Sequence, residues 1–269
     1  MAEGQIFDVH QHLSIADPSI DEDEQERLMA ADYEKRVRIM DAYGIAQAAL
    51  FPFPFYMRTR GFEDTRAMNT LLARYRDQYR DRFPVVIGTV EPLQNPKLGL
   101  EELERMVGEL HMPAVGWHHR ASGTWIYTPA TVAFMRKVEE LGVAAFIHVR
   151  AESSLEDPSG LERLADEFSD VTFVAVDAFS SMNHAHRMVE TLKHHPNILA
   201  ETGVMNPVHR YTDQFTQLFG SERILFGSDL NVDPLMWYHP HTLTEIQLSQ
   251  VLTDADRQDI LWNNARHLL

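Results

Sequence analysis

The chain carries Asp8-Val9-His10-Gln11-His12 near its start, His148 at the end of an apolar run and Asp229 at the end of another. In an extended segment alternate residues share a side, so His10 and His12 present their imidazoles together. Two neutral imidazoles so placed can grip a divalent cation, although an isolated His-x-His pair also occurs as hydrogen-bonded loop histidines. His148 closes Ala144-Ala145-Phe146-Ile147-His148, where a histidine is either a satisfied core residue or a ligand. Asp229 closes Ile224-Leu225-Phe226-Gly227-Ser228-Asp229, where a carboxylate needs a partner or a cation to offset desolvation. Cysteine is absent, so disulfides and thiolate sites are excluded and any metal must be held by imidazole and carboxylate.

The elements that would position these residues recur regularly. Short apolar or β-branched runs lie at Ile6 to Val9, Ile45 to Phe51, Val85 to Val90, Ala114 to Trp117, Val143 to Val149, Val171 to Val176, Ile198 to Ala200 and Ile224 to Phe226. Segments with helical spacing separate them, such as Leu103, Met106, Val107 and Leu110, or Val132, Met135, Val138 and Leu141. Eight strand and helix repeats in 269 residues predict one α/β domain over residues 1–269, a closed (β/α)8 TIM barrel. In such a barrel the C-terminal strand ends form the active face, which would bring His10, His12, His148 and Asp229 together. No Gly-rich loop follows the first strand, which disfavours a dinucleotide fold.

With 24 Lys and Arg against 40 Asp and Glu, the net charge of -16 repels phosphate backbones and anionic membranes, so nucleic acid is not expected as a partner. No segment approaches the about 20 apolar residues of a membrane span, and the start lacks a basic, then apolar leader. A cytoplasmic enzyme acting on a small molecule is the expectation, with a homo-oligomer left open.

Taken with the terminal Asn263-Asn264-Ala265-Arg266-His267-Leu268-Leu269, the His-x-His and Gly-Ser-Asp segments make the chain resemble the amidohydrolase-related family, which includes metal-dependent hydrolases and non-oxidative decarboxylases. The resemblance runs over essentially the whole chain. It implies one divalent metal on His10, His12, His148 and Asp229, with Asp229 also taking a proton from the water that the metal activates. Zinc suits this donor set best; manganese or iron would also fit. Relatives usually carry a histidine at the end of the sixth strand, whereas this chain has Val176-Asp177-Ala178. Asp177 is therefore expected to point into the mouth and replace that histidine as acid/base or hydrogen-bond partner.

The fourth run ends in Trp117-His118-His119-Arg120, where relatives often place a residue that meets substrate. His118 is a candidate catalytic group or second-metal ligand, and Trp117 and His119 are candidate substrate contacts. Arg120 and Arg150 could pair with an anionic substrate, or simply with loop carboxylates. Phe51-Pro52-Phe53-Pro54-Phe55 and the group Trp237, Tyr238, His239 and His241 could wall a pocket or form a subunit contact. The leading expectation is a metal-dependent hydrolase of a C–N or C–O acyl bond in a small carboxylated or cyclic compound. Non-oxidative decarboxylation and a non-catalytic auxiliary barrel are the alternatives.

Overall fold

Residues 5–204, 210–236 and 240–269 are described in a computed structural model of the chain. Its strands are β1 (Ile6–Leu13), β2 (Ile45–Pro52), β3 (Val85–Val86), β4 (Ala114–Trp117), β5 (Ala144–His148), β6 (Phe173–Val176), β7 (Ile198–Glu201) and β8 (Ile224–Leu225), followed by β9 (Leu230–Val232) and β10 (Leu235–Met236). Pairing is parallel from β1 to β3 and from β4 to β8, while β9 runs parallel to β1 and antiparallel to β10. Hydrogen bonds span both seams between the two groups. Gly116 N donates to Gly88 O at 2.8 Å on one side, and Val9 N to Phe226 O at 2.9 Å on the other. The fold is the (β/α)8 barrel that the strand and helix repeats predict.

Helices begin where the sequence supplies caps. Asn95-Pro96, Thr128-Pro129 and Asp157-Pro158 open α3 (Pro96–Gly108), α5 (Pro129–Leu141) and α6 (Pro158–Glu167), each cap oxygen accepting first-turn N–H groups while the proline sets φ. Ser181 does the same for α7 (Met182–His194). Apolar side chains form two layers: Phe7, Val9, Phe51, Ile87, Phe146, Val174 and Leu225 fill the barrel, and a larger shell packs helices such as α1 (Glu22–Ala42) and α2 (Phe62–Gln78) on its outside. Among the described residues no helix is long and apolar enough to cross a membrane.

Most strand ends fall within two residues of the apolar runs, and two differ by more. β1 runs on to Leu13, through polar residues that give no apolar signal, and the ladder of β3 covers only two residues before Gly88 makes a single bridge to Val115.

Candidate metal centre

His10 and His12 face the barrel mouth because β1 is bulged. Asp8 pairs with Ala48 but Gln11 with Leu50, so the strand gains one residue over its partner between them. Below the bulge Phe7 and Val9 point into the core; above it, His10 and His12 take the inward side, and Gln11 turns out to meet Arg36. Simple alternation from Val9 would have put His10 outside, so the bulge aims the histidines.

The two rings are then fixed by partners behind them. His12 Nδ1 lies 2.8 Å from the Pro52 carbonyl and His10 Nδ1 lies 3.3 Å from Glu201 Oε2, so each Nδ1 carries the proton and each Nε2 offers its lone pair. The two Nε2 atoms stand 3.0 Å apart, with Asp229 Oδ1 at 3.0 Å from His12 Nε2 and 3.5 Å from His10 Nε2. Three acceptors thus face one another. A proton would relieve one pair, whereas a cation relieves all three, and ligands about 2.1 Å from one ion lie roughly 3.0 to 3.4 Å apart. The donor set fits a divalent cation. Burial disfavours a charged His10, but Glu201, Asp229 and Asp177 outweigh it and push its pKa up to about 10, so the pocket draws positive charge.

His148, expected as the fourth ligand, has its Nε2 2.8 Å from Asp177 Oδ2 and its Nδ1 2.9 Å from Glu156 Oε2. Burial alone would depress its pKa, yet the two carboxylates push it up to about 9. Asp177 adopts a left-handed φ of 62° that turns it inward past the end of β6. Its Oδ1 accepts from Val204 N at 3.1 Å and lies 3.9 Å from His10 Nδ1. Burial would raise the Asp177 carboxyl, but His148 and His10 hold it well below the usual carboxylate range. Glu156 also meets His118 Nδ1 at 3.0 Å, and the His118 and His148 rings stack 4.1 Å apart at 17°. One cation cannot lie in the planes of two nearly parallel rings at that separation. This trio is one carboxylate holding two imidazoles, while burial next to His148 pushes His118 down to about 4.

The remaining sequence candidates divide. Trp117 is buried and lines the apolar side of the mouth with Phe51, Pro52, Phe146 and Val176. His12, His118 and His148 separate that side from a charged one lined by Arg120, Arg150, Asp177 and Asp229. Arg120 is 3.7 Å from Glu156, whereas Arg150 has no carboxylate within ion-pair distance among the described residues. His119 is fully buried below the mouth, where burial pushes its pKa down to about 3. His241 begins the helix His241–Leu248; Trp237, Tyr238 and His239 lie outside the described residues.

Glu201 and Glu156 escape the sequence reading. Glu201 ends β7 and is fully buried, and a carboxylate at a strand end is itself the signal that could have marked it. It accepts from Asp177 N and Gly203 N besides His10. Glu156 sits in a loop and has no such signal. Two glycines make room for this acid-rich floor: a Cβ on Gly203 would lie 1.9 Å from Asp177 Oδ1, and one on Gly227 only 1.8 Å from Glu201 Oε1 and 2.7 Å from His10 Cβ.

Residues 7–269 match the family model described as Amidohydrolase, and the chain belongs to that family. No curated protein matches it. Solved structures share the fold at low identity. They include 5-carboxyvanillate decarboxylase from Sphingomonas paucimobilis (15% identity, 99% of both chains, TM-score 0.73). A dihydroxybenzoic acid decarboxylase from Polaromonas sp. JS666, with bound manganese and the inhibitor 2-nitroresorcinol, is 19% identical over 98% of this chain and 96% of that one (TM-score 0.72). 4-Oxalomesaconate hydratase from Rhodopseudomonas palustris is 20% identical over 98% and 95% (TM-score 0.71).

Proposed function

We propose that this chain is a divalent-cation-dependent hydrolase of a small carboxylated compound, with His10, His12 and Asp229 holding the ion. The observation that carries the reading is the convergence of His10 Nε2, His12 Nε2 and Asp229 Oδ1 at 3.0 to 3.5 Å, with each ring held from behind through its Nδ1. His148 joins the ligand set only when its Nε2 leaves Asp177. Zinc and manganese both suit nitrogen and carboxylate donors.

A cation bound there would supply Lewis acidity, acidifying a water in the mouth or polarising a substrate oxygen. Asp229 would hold the ion through Oδ1, leaving its second carboxylate oxygen to take a proton from the attacking water and return it to the leaving atom. Arg150, which has no carboxylate partner among the described residues, takes the anionic group of the substrate, and the Phe51, Trp117 and Phe146 side takes its apolar body. Asp177 acts here as the partner of His148, since both of its oxygens are engaged.

The second reading is non-oxidative decarboxylation of a carboxylated ring. It is favoured by the aromatic residues Phe51, Trp117 and Phe146 that line the mouth and by the decarboxylases that share the fold. One experiment separates the two. The chain is stripped with a chelator, reloaded with Mn2+ or Zn2+ and given lactones, amides and carboxylated aromatics, with acid release and CO2 release followed in parallel. Acid release that needs the metal and is lost in His12→Ala supports hydrolysis; CO2 release under the same controls supports the second reading. Absence of metal uptake sinks both.

A further inference from the structure

Asp8 of the His-x-His segment and Ser228 of the Gly-Ser-Asp segment touch neither the mouth nor its cavities, yet their side chains meet in the seam between β1 and β8. Asp8 is fully buried. Its Oδ1 accepts from His10 N at 3.1 Å and from Ser228 N at 3.0 Å. Its Oδ2 accepts from Ser228 Oγ at 2.6 Å and from Gln11 Nε2 at 2.8 Å. Ser228 Oγ in turn accepts from Leu230 N at 3.1 Å. One carboxylate therefore holds the backbone of His10 and the backbone just before Asp229.

The grip extends outward through Gln11. Its Oε1 accepts from Arg36 Nη1 at 3.0 Å, and Arg36 Nη2 donates to His12 O at 2.7 Å. Across this seam Val9 N donates to Phe226 O at 2.9 Å and Asp229 N to His10 O at 2.8 Å, and the Asp8 carboxylate adds its four hydrogen bonds to these. Asp8 and Ser228 are 220 residues apart in sequence, so the distance between the two ligand-bearing segments is set by bonds across the seam and not by chain connectivity. A coordination site tolerates only about 0.5 Å of error in its ligands.

We infer that Asp8 and Ser228 are positioning residues that set the spacing between His10 and His12 on one side and Asp229 on the other. The inference rests on the cation centre proposed above. It also accounts for the whole Gly-Ser-Asp segment: the glycine clears Glu201 and His10, the serine completes the staple, and the aspartate meets the ion.

The test is calorimetric titration of the chelator-stripped full chain with Mn2+, with circular dichroism and thermal melting on every variant. Ser228→Ala and Asp8→Asn should bind Mn2+ about 10- to 100-fold more weakly while folded. Ser228→Thr, which restores the hydroxyl, should bind close to wild type. Ser14→Ala is the control for stability alone, because Ser14 Oγ bonds Asn231 Oδ1 and Val232 N in the same seam beyond the ligands. It should melt lower and keep its Mn2+ affinity. Wild-type affinity in both Ser228→Ala and Asp8→Asn, or a loss in Ser14→Ala as large as in Ser228→Ala, overturns the inference while leaving the cation centre standing. A wild-type chain that takes up no Mn2+ overturns both. Should Asp8→Asn fail to fold, the Ser228 pair decides.

Discussion

His148 Nε2 and Asp177 Oδ2 lie 2.8 Å apart in the floor of the mouth, both almost wholly buried. Asp177, expected from the sequence to replace a sixth-strand histidine, is thus the partner of the fifth-strand histidine. Removing one member of a buried pair leaves the other uncompensated, at about 3–5 kcal/mol. Asp177→Ala should lose stability of that order in urea unfolding, and Asp177→Asn less, because the amide oxygen can still accept. A loss below about 0.5 kcal/mol in Asp177→Ala, the ordinary value for a surface change, would show that the two side chains do not depend on each other.

Gly227→Ala places a methyl group where Glu201 Oε1 and His10 Cβ now sit. Overpacking of this kind costs about 1–3 kcal/mol. Because the displaced groups orient His10, we expect Mn2+ affinity to fall as well. Gly108→Ala, where a Cβ meets nothing within 4 Å, is the matched control and should change neither quantity.

Arg150→Met should raise KM for a carboxylated substrate by about 10- to 100-fold and leave kcat within a small factor, since a charge-assisted hydrogen bond contributes about 1.5–3 kcal/mol. Arg120→Met should do less, because Glu156 already engages Arg120. Equal KM values for wild type and Arg150→Met would remove Arg150 from the substrate site.

Away from the mouth, burial and the neighbouring Asp213 push Glu245 up to about 7 from 4.5, against the pull of Arg210. A carboxyl whose pKa is raised on folding stabilises the fold below its unfolded pKa, and that contribution is lost as pH rises through the folded one. Stability from this group should therefore decline between about pH 4.5 and 7. Glu245→Gln removes the charge, so its melting temperature should exceed that of wild type at pH 8 and match it near pH 4. Parallel melting curves for the two proteins across that range would count against the assignment.

The parts of this architecture that repeat were legible from the chain: apolar runs alternate with capped helices, and Asn95-Pro96 or Thr128-Pro129 mark helix starts by local chemistry alone. His10, His12 and Asp229 were legible because each ends or follows such a run, and they do converge in the structure. The bulge in β1 was not, since it depends on pairing with β2. Nor was the engagement of Asp177 by His148, which joins two strand ends whose contact is set by the barrel. Glu156 comes from a loop where any acidic residue would look solvated, and only the fold shows it buried between two imidazoles.

The seam that brings Asp8 to Ser228 has a consequence for biosynthesis. Joining segments 220 residues apart costs about 5 kcal/mol in chain entropy by the usual logarithmic dependence on loop length. A ribosome that has delivered His10 and His12 must still supply the whole intervening barrel before Asp229 emerges. A nascent chain therefore holds the histidines without their carboxylate through most of translation, and the three donors come together only at the last step of closure. With the cation centre proposed above, ion capture would report completion of the ring: an immature chain cannot form the full donor set, and a mature one would be stabilised with the logarithm of the free ion concentration.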